Sequence, residues 1–439
     1  MPSLGPRLGL VAEAATGGFY VAITRSFFII MLSYANYNLS TISTIFLLQA
    51  AFSVLFAALI YKRGLSLTHR GLRFLTLVTH ALERVLWISL PFLIYFKPLE
   101  IAISCAAMFI TTPVGIFLNY LIYVSFTGKD VVDVVSKRFA IGSATSIIGL
   151  LLSMALIWAL HGSLKTYVYL YSLAGAVGLL GSVSLLFSEF HPRVGPPVQA
   201  PSLEVEVGKV TSLLFYILFC TSINLVYMIW IPYIKTEMHA TQILATMLVI
   251  AGSIGTIVGS LVWRSNKLCR ISMILLIVTI GLALTARQPL AQPLIYLLFS
   301  TSTMGGFILI TAIYSTYVTE LGTLRVSALS QVGYETGTVL AALLSMVVKS
   351  YDLMFIIADL IAGTTLALAL TTIPEVAIVP KSLALNYART IYNISTTSLT
   401  YTTLFTKETA RLFLQILTAT LLITIIYAIY QTLTILLTI

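Results

Sequence analysis

Ionisable side chains inside long apolar runs are where this sequence could do chemistry. Arg25, Glu83, Arg84, Glu335 and Asp359 each sit within such a run, and Glu13 stands near the mouth of the first. A charge at the centre of a membrane helix costs about 2.5–3.5 kcal/mol on insertion scales, so such groups turn inward, pair, or meet a water-filled cavity. His80, Glu83, Arg84 and Trp87 recur at i, i+3, i+4 and i+7, which gathers them on one side of a helix. That grouping has two readings. It is either a proton-responsive cluster, with Glu83 or His80 titrating beside the counter-charge Arg84, or an ion pair that fastens helices together. Glu335 lies about ten residues beyond Arg325, roughly 15 Å along a helix, with Gly333, Thr336 and Gly337 beside it. It is the first candidate for a proton carrier, and the competing role is a static partner of an arginine. Asp359 lies seven residues past Asp352, nearer the end of its run, and reads as structural.

The elements that must hold these groups follow from composition. Of 439 residues, 59% are hydrophobic and 9% charged, with mean hydropathy +1.00, whereas soluble domains carry about 25% charged residues. Apolar runs longer than about 18 residues recur along the chain, each long enough to cross a hydrocarbon core of about 30 Å as a helix. The short alternating strands of a membrane barrel are absent from the pattern. Gly, Pro and charge punctuation places twelve spans near 10–33, 41–61, 74–96, 101–125, 139–160, 164–188, 210–234, 241–263, 270–286, 292–318, 326–348 and 352–373. The first reads as a retained span, because Glu13 interrupts the apolar stretch and no small-residue cleavage pattern follows.

The expected fold is therefore all-α integral membrane: two pseudo-symmetric six-helix bundles plus a thirteenth transmembrane helix. The first half covers 1–188, a cytoplasmic linker 189–209 contains Pro196-Pro197, and the second half covers 210–373. A polar stretch and a charge-free run at 412–439 complete the chain. Five of the 25 Lys and Arg residues fall in outer loops (Lys97, Lys165, Lys235, Arg287, Lys349) and two lie inside spans (Arg25, Arg84), which leaves eighteen on the inner side. By the positive-inside rule the N-terminus is cytoplasmic, and a thirteenth span puts the C-terminus outside. The formal charge of +10 is thereby explained by topology, without nucleic acid. The Asn-Leu-Ser sequon at Asn38 sits too close to the membrane to be a good glycosylation site.

A shift of 202 residues lays the end of the second span, Ala57 to Gly64, over the end of the eighth, Gly259 to Asn266. Both copies finish on a small residue, an aromatic (Tyr61, Trp263) and a cation (Lys62, Arg264). Parallel repeats of this kind build transporter sites near the bilayer midplane. At this point the chain resembles the major facilitator superfamily, with six plus six helices, a longer central loop and a Gly-x-x-x-Asp-Arg/Lys-x-Gly-Arg/Lys-Arg/Lys loop after the second helix, echoed after the eighth. Lys62 and Gly64 match the first copy and Gly259, Arg264 and Lys267 the second, which makes these the gating-loop candidates. Tyr61 and Trp263 replace the acidic position. The resemblance covers about residues 8–373.

It implies that the first, fourth, seventh and tenth helices line a central cavity and that the third is peripheral. Candidate cavity residues are then Arg25, Tyr20, Asn119, Asn224, Tyr227, Thr311 and Tyr314. Arg25 is suited either to grip a carboxylate or phosphate or to pair with Glu335. Proton-coupling candidates are Glu335, Glu83, His80 and Arg84. Small residues at Ala251, Gly255 and Gly259, and at Gly175 and Gly178, read as close helix crossings.

No metal-ligand spacing, nucleophile motif or nucleotide-binding loop occurs, and Cys105, Cys220 and Cys269 are scattered. The expectation is thus a non-enzyme without metal or cofactor: a multi-pass cell-membrane permease moving a small solute by alternating access, with protons as the candidate coupling ion. The alternative is a lipid-linked oligosaccharide flippase of the multidrug/oligosaccharidyl-lipid/polysaccharide exporter type.

Overall fold

The structure is a computed structural model, which describes residues 5–65, 68–126, 129–160, 163–188, 190, 203–263 and 266–394. The expected thirteenth span, 412–439, and most of the central linker lie outside the described residues.

Twelve spans appear in the expected order. The first consists of α1 (Pro6–Ile23) and α2 (Arg25–Tyr34), followed by α3 (Leu39–Arg63) and α4 (His69–Leu93). The fourth is again double, α5 (Lys97–Phe109) and α6 (Thr111–Ser125), and α7 (Lys129–Leu160) and α8 (Leu164–Leu186) close the first half. The second half holds α9 (Leu203–Glu237), α10 (Gln242–Val262), α11 (Asn266–Thr285), α12 (Gln292–Leu321), α13 (Thr323–Val347) and α14 (Tyr351–Thr372). A further helix, α15 (381–394), follows. By length and apolarity alone, ten spans qualify as membrane-crossing among the described residues. The other two, α4 and α13, have 25 residues each, about 37 Å at 1.5 Å per residue. They are the more polar helices because they carry Glu83, Arg84 and Glu335 inward.

Three boundaries differ from expectation. The seventh span begins at Leu203 and the fifth at Lys129, so helix extends well into what polarity marked as loop. Polar residues at a helix end beyond the hydrocarbon remain helical, and hydropathy alone cannot see them. The polar stretch after Pro374 likewise contains α15, whose Ala384 and Ala388 are buried while Lys381 and Arg389 are exposed.

Packing repeats with a period of six spans. The first span packs on the fifth and sixth, the second on the fourth, and the third on the fourth and sixth. The seventh packs on the eleventh and twelfth, the eighth on the tenth, and the ninth on the tenth and twelfth. The halves meet chiefly along two seams, α3 with α13 and α7 with α10, which the same repeat exchanges. Close crossings need glycine. A Cβ on Gly18 would lie 2.0 Å from the Gly142 carbonyl oxygen, and one on Gly255 would lie 2.2 Å from that of Leu297. The eighth span's small-residue stripe is Gly252, Gly255 and Gly259 facing α12, with Ala251 only half-buried beside it.

Candidate substrate cavity and charge network

Both double spans break near their middles. At Thr24 the hydroxyl donates back to the Tyr20 carbonyl at 2.7 Å, and the Tyr171 hydroxyl donates to the Thr24 carbonyl at 3.0 Å. The freed backbone group is satisfied in the core, and α2 restarts on Arg25. In the fourth span the break falls at Ile110, before Thr111, Thr112 and Pro113. Pro113 has no N–H to give the carbonyl four residues back, which weakens the helix at this point. Interrupted helices near the midplane are a recurring way to expose polar backbone and side chains to a transported solute.

Arg25 and Thr111, the first residues of the restarted helices, line three adjoining cavities of about 400, 200 and 300 Å³. The largest lies within the first half, between α1, α6 and α7, with Glu13, Arg84, Asn119 and Arg138 on its walls. The smallest lies between the halves, with Phe28, Trp87, Asn224, Tyr227 and Glu335. The third joins α6 and α7 to α12 and α13 through Asn119, Thr311, Gln331 and Glu335. Of the expected cavity residues, Arg25, Asn119, Asn224, Tyr227 and Thr311 are thus brought together. Tyr20 and Tyr314 are not: both are fully buried, Tyr20 beneath Arg84 and Tyr314 against Tyr216 and Tyr317.

A chain of charges runs beside these cavities. Glu83 in α4 gives one carboxylate oxygen to Arg25 and the other to Arg84. Tyr20 also donates to Glu83 at 3.4 Å. The Arg84 guanidinium lies 4.6 Å above the Tyr20 ring and donates to the His80 carbonyl at 3.0 Å. His80 Nε2 meets Glu13 Oε1 at 3.2 Å and its Nδ1 meets the Ser182 hydroxyl at 2.7 Å. Glu13 Oε2 is 2.7 Å from Arg138 of α7. The third span is therefore tied directly to the first, not peripheral to the chemistry, and Arg25 pairs with Glu83, not with Glu335. Each oxygen of Glu83 is thus held by a guanidinium.

Glu335 has different company. It is buried on the α3/α13 seam, where Thr112 lies 3.0 Å from Oε1 and Gln49 Nε2 is 3.4 Å from Oε2. The Thr112 hydroxyl is also 2.7 Å from Ser53, whose own hydroxyl is 3.5 Å from Gln49 Oε1. One hydroxyl has one proton, so this chain has two self-consistent directions. With Glu335 ionised, Ser53 donates to Thr112 and Thr112 to Glu335. With Glu335 protonated, Glu335 donates to Thr112, Thr112 to Ser53 and Ser53 to Gln49. Among the described residues no cation forms an ion pair with Glu335.

The face carrying Tyr34 and Lys235 is closed across the halves. Lys235 reaches the Ser33 carbonyl at 2.5 Å, Tyr34 donates to the Ala240 carbonyl at 2.7 Å, and Gln242 bonds Tyr167. Ser43 and Ser345 meet at 2.8 Å along the α3/α13 seam. On the opposite face Lys209 sits 5.8 Å above the Tyr61 ring. Of the gating-loop candidates, Lys62 is exposed and Gly64 ends α3 with a left-handed φ of 68°. Gly259 is a helix-crossing residue rather than a loop residue, since its Cβ would lie 2.5 Å from the Thr301 carbonyl. Arg264 and the side chain of Lys267 lie outside the described residues. Asp359 is half-exposed on α14 away from the cavities.

No protein-family model and no curated protein matches the chain. Solved structures do. A major facilitator superfamily transporter, FucP, in the outward conformation aligns with TM-score 0.58 and 14% identity over 82% of this chain and 97% of that one. A bacterial homologue of the iron transporter ferroportin, in an outward-facing state, gives TM-score 0.62 and 13% identity over 83% and 98%. The nucleoside transporter NupG gives 0.58 and 12% over 83% and 98%. At these identities the likeness establishes the fold, that of major facilitator transporters, and a multi-pass α-helical membrane architecture.

Proposed function

We propose that this chain is a major facilitator-type permease that carries a small solute through the membrane by alternating access, with Glu335 as its proton carrier. The structural neighbours named above are transporters and support the first part, and their alignment over 82–83% of this chain favours a permease over the flippase alternative. Because those neighbours include a ferroportin homologue and a nucleoside transporter, the fold does not choose the solute.

The observation that carries the proton role is the reversible hydrogen-bond chain from Glu335 through Thr112 and Ser53 to Gln49. It satisfies Glu335 in both protonation states. It also crosses from the second half to the first, at a seam along which rocking halves must separate or re-form. A buried polar group left without a partner costs about 1–3 kcal/mol, so a carrier that keeps its partners in both states avoids that barrier. With the N-terminus cytoplasmic, the closed Lys235 face is the outer one and the cavities belong to an inward-facing conformation. The gradient-coupled step is then release of the proton toward the cytoplasm.

The test uses purified protein in proteoliposomes and a labelled panel of sugars, nucleosides, amino acids and organic acids. For the solute that wild type exchanges, Glu335→Gln is expected to keep exchange and to lose accumulation driven by a pH gradient. Undiminished accumulation in Glu335→Gln would remove Glu335 from the coupling step.

A further inference from the structure

The charges around the central cavity do not balance, and the imbalance specifies a solute. Three guanidiniums, Arg25, Arg84 and Arg138, face two carboxylates, Glu13 and Glu83. His80 meets Glu13 through Nε2 and Ser182 through Nδ1, and counted as a neutral imidazole, donating to Glu13 and accepting from Ser182, it adds no charge. One positive charge is left over. It resides at Arg25: the Arg84 side chain is 3% exposed and Arg138 17%, but Arg25 is 36% exposed and lines all three cavities. Its Nε is buried and has no partner.

Resting on the permease reading, we infer that the cavity binds a small organic monocarboxylate, its carboxylate on Arg25, and that each anion travels with one proton on Glu335. Arg25 spends Nη2 on Glu83, and with 36% of its side chain exposed the guanidinium keeps further donors for a carboxylate. The remainder of the solute faces Phe28, Phe46, Trp87, Met108 and Tyr227, the apolar lining of the cavity of about 200 Å³ between the halves. That space suits a small organic group and offers no second cation for a dianion.

The proton follows from the same count. Arg25 and Glu335 line two cavities in common and interact electrostatically. The other titratable groups around Glu335 are Cys220 of α9 and Tyr334 on its own helix, while α3 and α6 contribute only neutral Gln49, Ser53 and Thr112. When Glu335 is ionised it supplies the missing negative charge and the cavity is neutral without solute. When it is protonated the excess positive charge returns and an anion restores neutrality. Anion and proton therefore load together and leave together, and the loaded carrier crosses the membrane electrically neutral.

The test takes the full-length protein in detergent at weak buffering, with benzoate, pyruvate and lactate as probes and benzamide, pyruvamide and lactamide as their neutral counterparts. At least one acid is expected to raise thermal stability, with about one proton taken up per acid bound near neutral pH, while its amide does neither. Arg25→Gln should abolish the acid response and Arg25→Lys retain part of it. Glu335→Gln should bind acid without proton uptake, and the rim variant Arg287→Ala should behave as wild type. In proteoliposomes, uptake of that acid should follow a pH gradient and ignore a potassium-valinomycin potential. The assignment falls if no acid binds, if amides bind as well as acids, or if Arg25→Gln binds undiminished. A neutral solute that is bound and transported would overturn the solute class alone; no flux of any solute from the broader panel would overturn the permease reading itself.

Discussion

Replacing Glu83 with Gln tests whether the charge network is a structural keystone. The change is nearly isosteric but deletes the one carboxylate shared by Arg25 and Arg84. Removing one partner of a buried ion pair costs about 3–5 kcal/mol, because the other charge remains buried. The two arginines do not share that penalty equally. Arg84 is 3% exposed and cannot turn to water, whereas Arg25 is 36% exposed and borders the cavities, so its side of the pair is closer to the about 0–1 kcal/mol of a solvated bridge. The expected loss is thus about 3 kcal/mol, nearly all of it from Arg84. Adding Arg84→Met to Glu83→Gln removes the orphaned charge and should return most of that loss. It forgoes the guanidinium–Tyr20 stacking, worth about 1 kcal/mol. The expected order of stability is wild type, then Glu83→Gln with Arg84→Met, then Glu83→Gln alone. Mixed-micelle denaturation, with size-exclusion recovery after heating as a second readout, measures it. A double variant no more stable than Glu83→Gln would refute the reasoning, since the deficit would then lie in lost hydrogen bonds or packing instead of an unpaired charge.

Other consequences are open to direct measurement. Gly18→Ala and Gly255→Ala push a methyl into backbone at 2.0 and 2.2 Å, and each should lose about 1–3 kcal/mol by overpacking. Gly281→Ala meets nothing within 4 Å and should be neutral or slightly stabilising, so equal losses at all three sites would contradict the close-crossing account. Ser43→Cys with Ser345→Cys should form a disulfide on mild oxidation, because the two hydroxyls are 2.8 Å apart. Oxidation should then halt transport, with reduction restoring it, and unimpaired flux in the cross-linked protein would argue against separation of α3 from α13 during the cycle. Pro113→Ala restores a helix N–H at the α5/α6 break and should draw Thr112 away from Glu335. Its signature is weaker proton coupling with exchange largely retained, and unchanged coupling would free the break of that role.

Alternation of apolar runs with cationic loops was enough to place twelve spans and their order, because lipid leaves a chain few ways to satisfy its backbone. The same pressure marked Arg25, Glu83, Arg84 and Glu335, since burying a charge demands a reason, and Pro113 could have flagged the fourth span's break. What each charge does could not be read from spacing. Glu83 and Arg84 are neighbours in sequence, yet Glu83 is claimed jointly by Arg25 from another helix, and Glu13 by Arg138 from a third. Helical periodicity fixes which residues share a face but not which face meets which. That pairing left Glu335 without an ion-pair partner among the described residues, left one positive charge over at Arg25, and moved Tyr20 and Tyr314 from the cavity wall into the core. Sequence determined that this chain must live in lipid with a few charges hidden inside it. Only the packing of the first, third, fifth and eleventh spans decided which of those charges cancel and which remains to meet a solute.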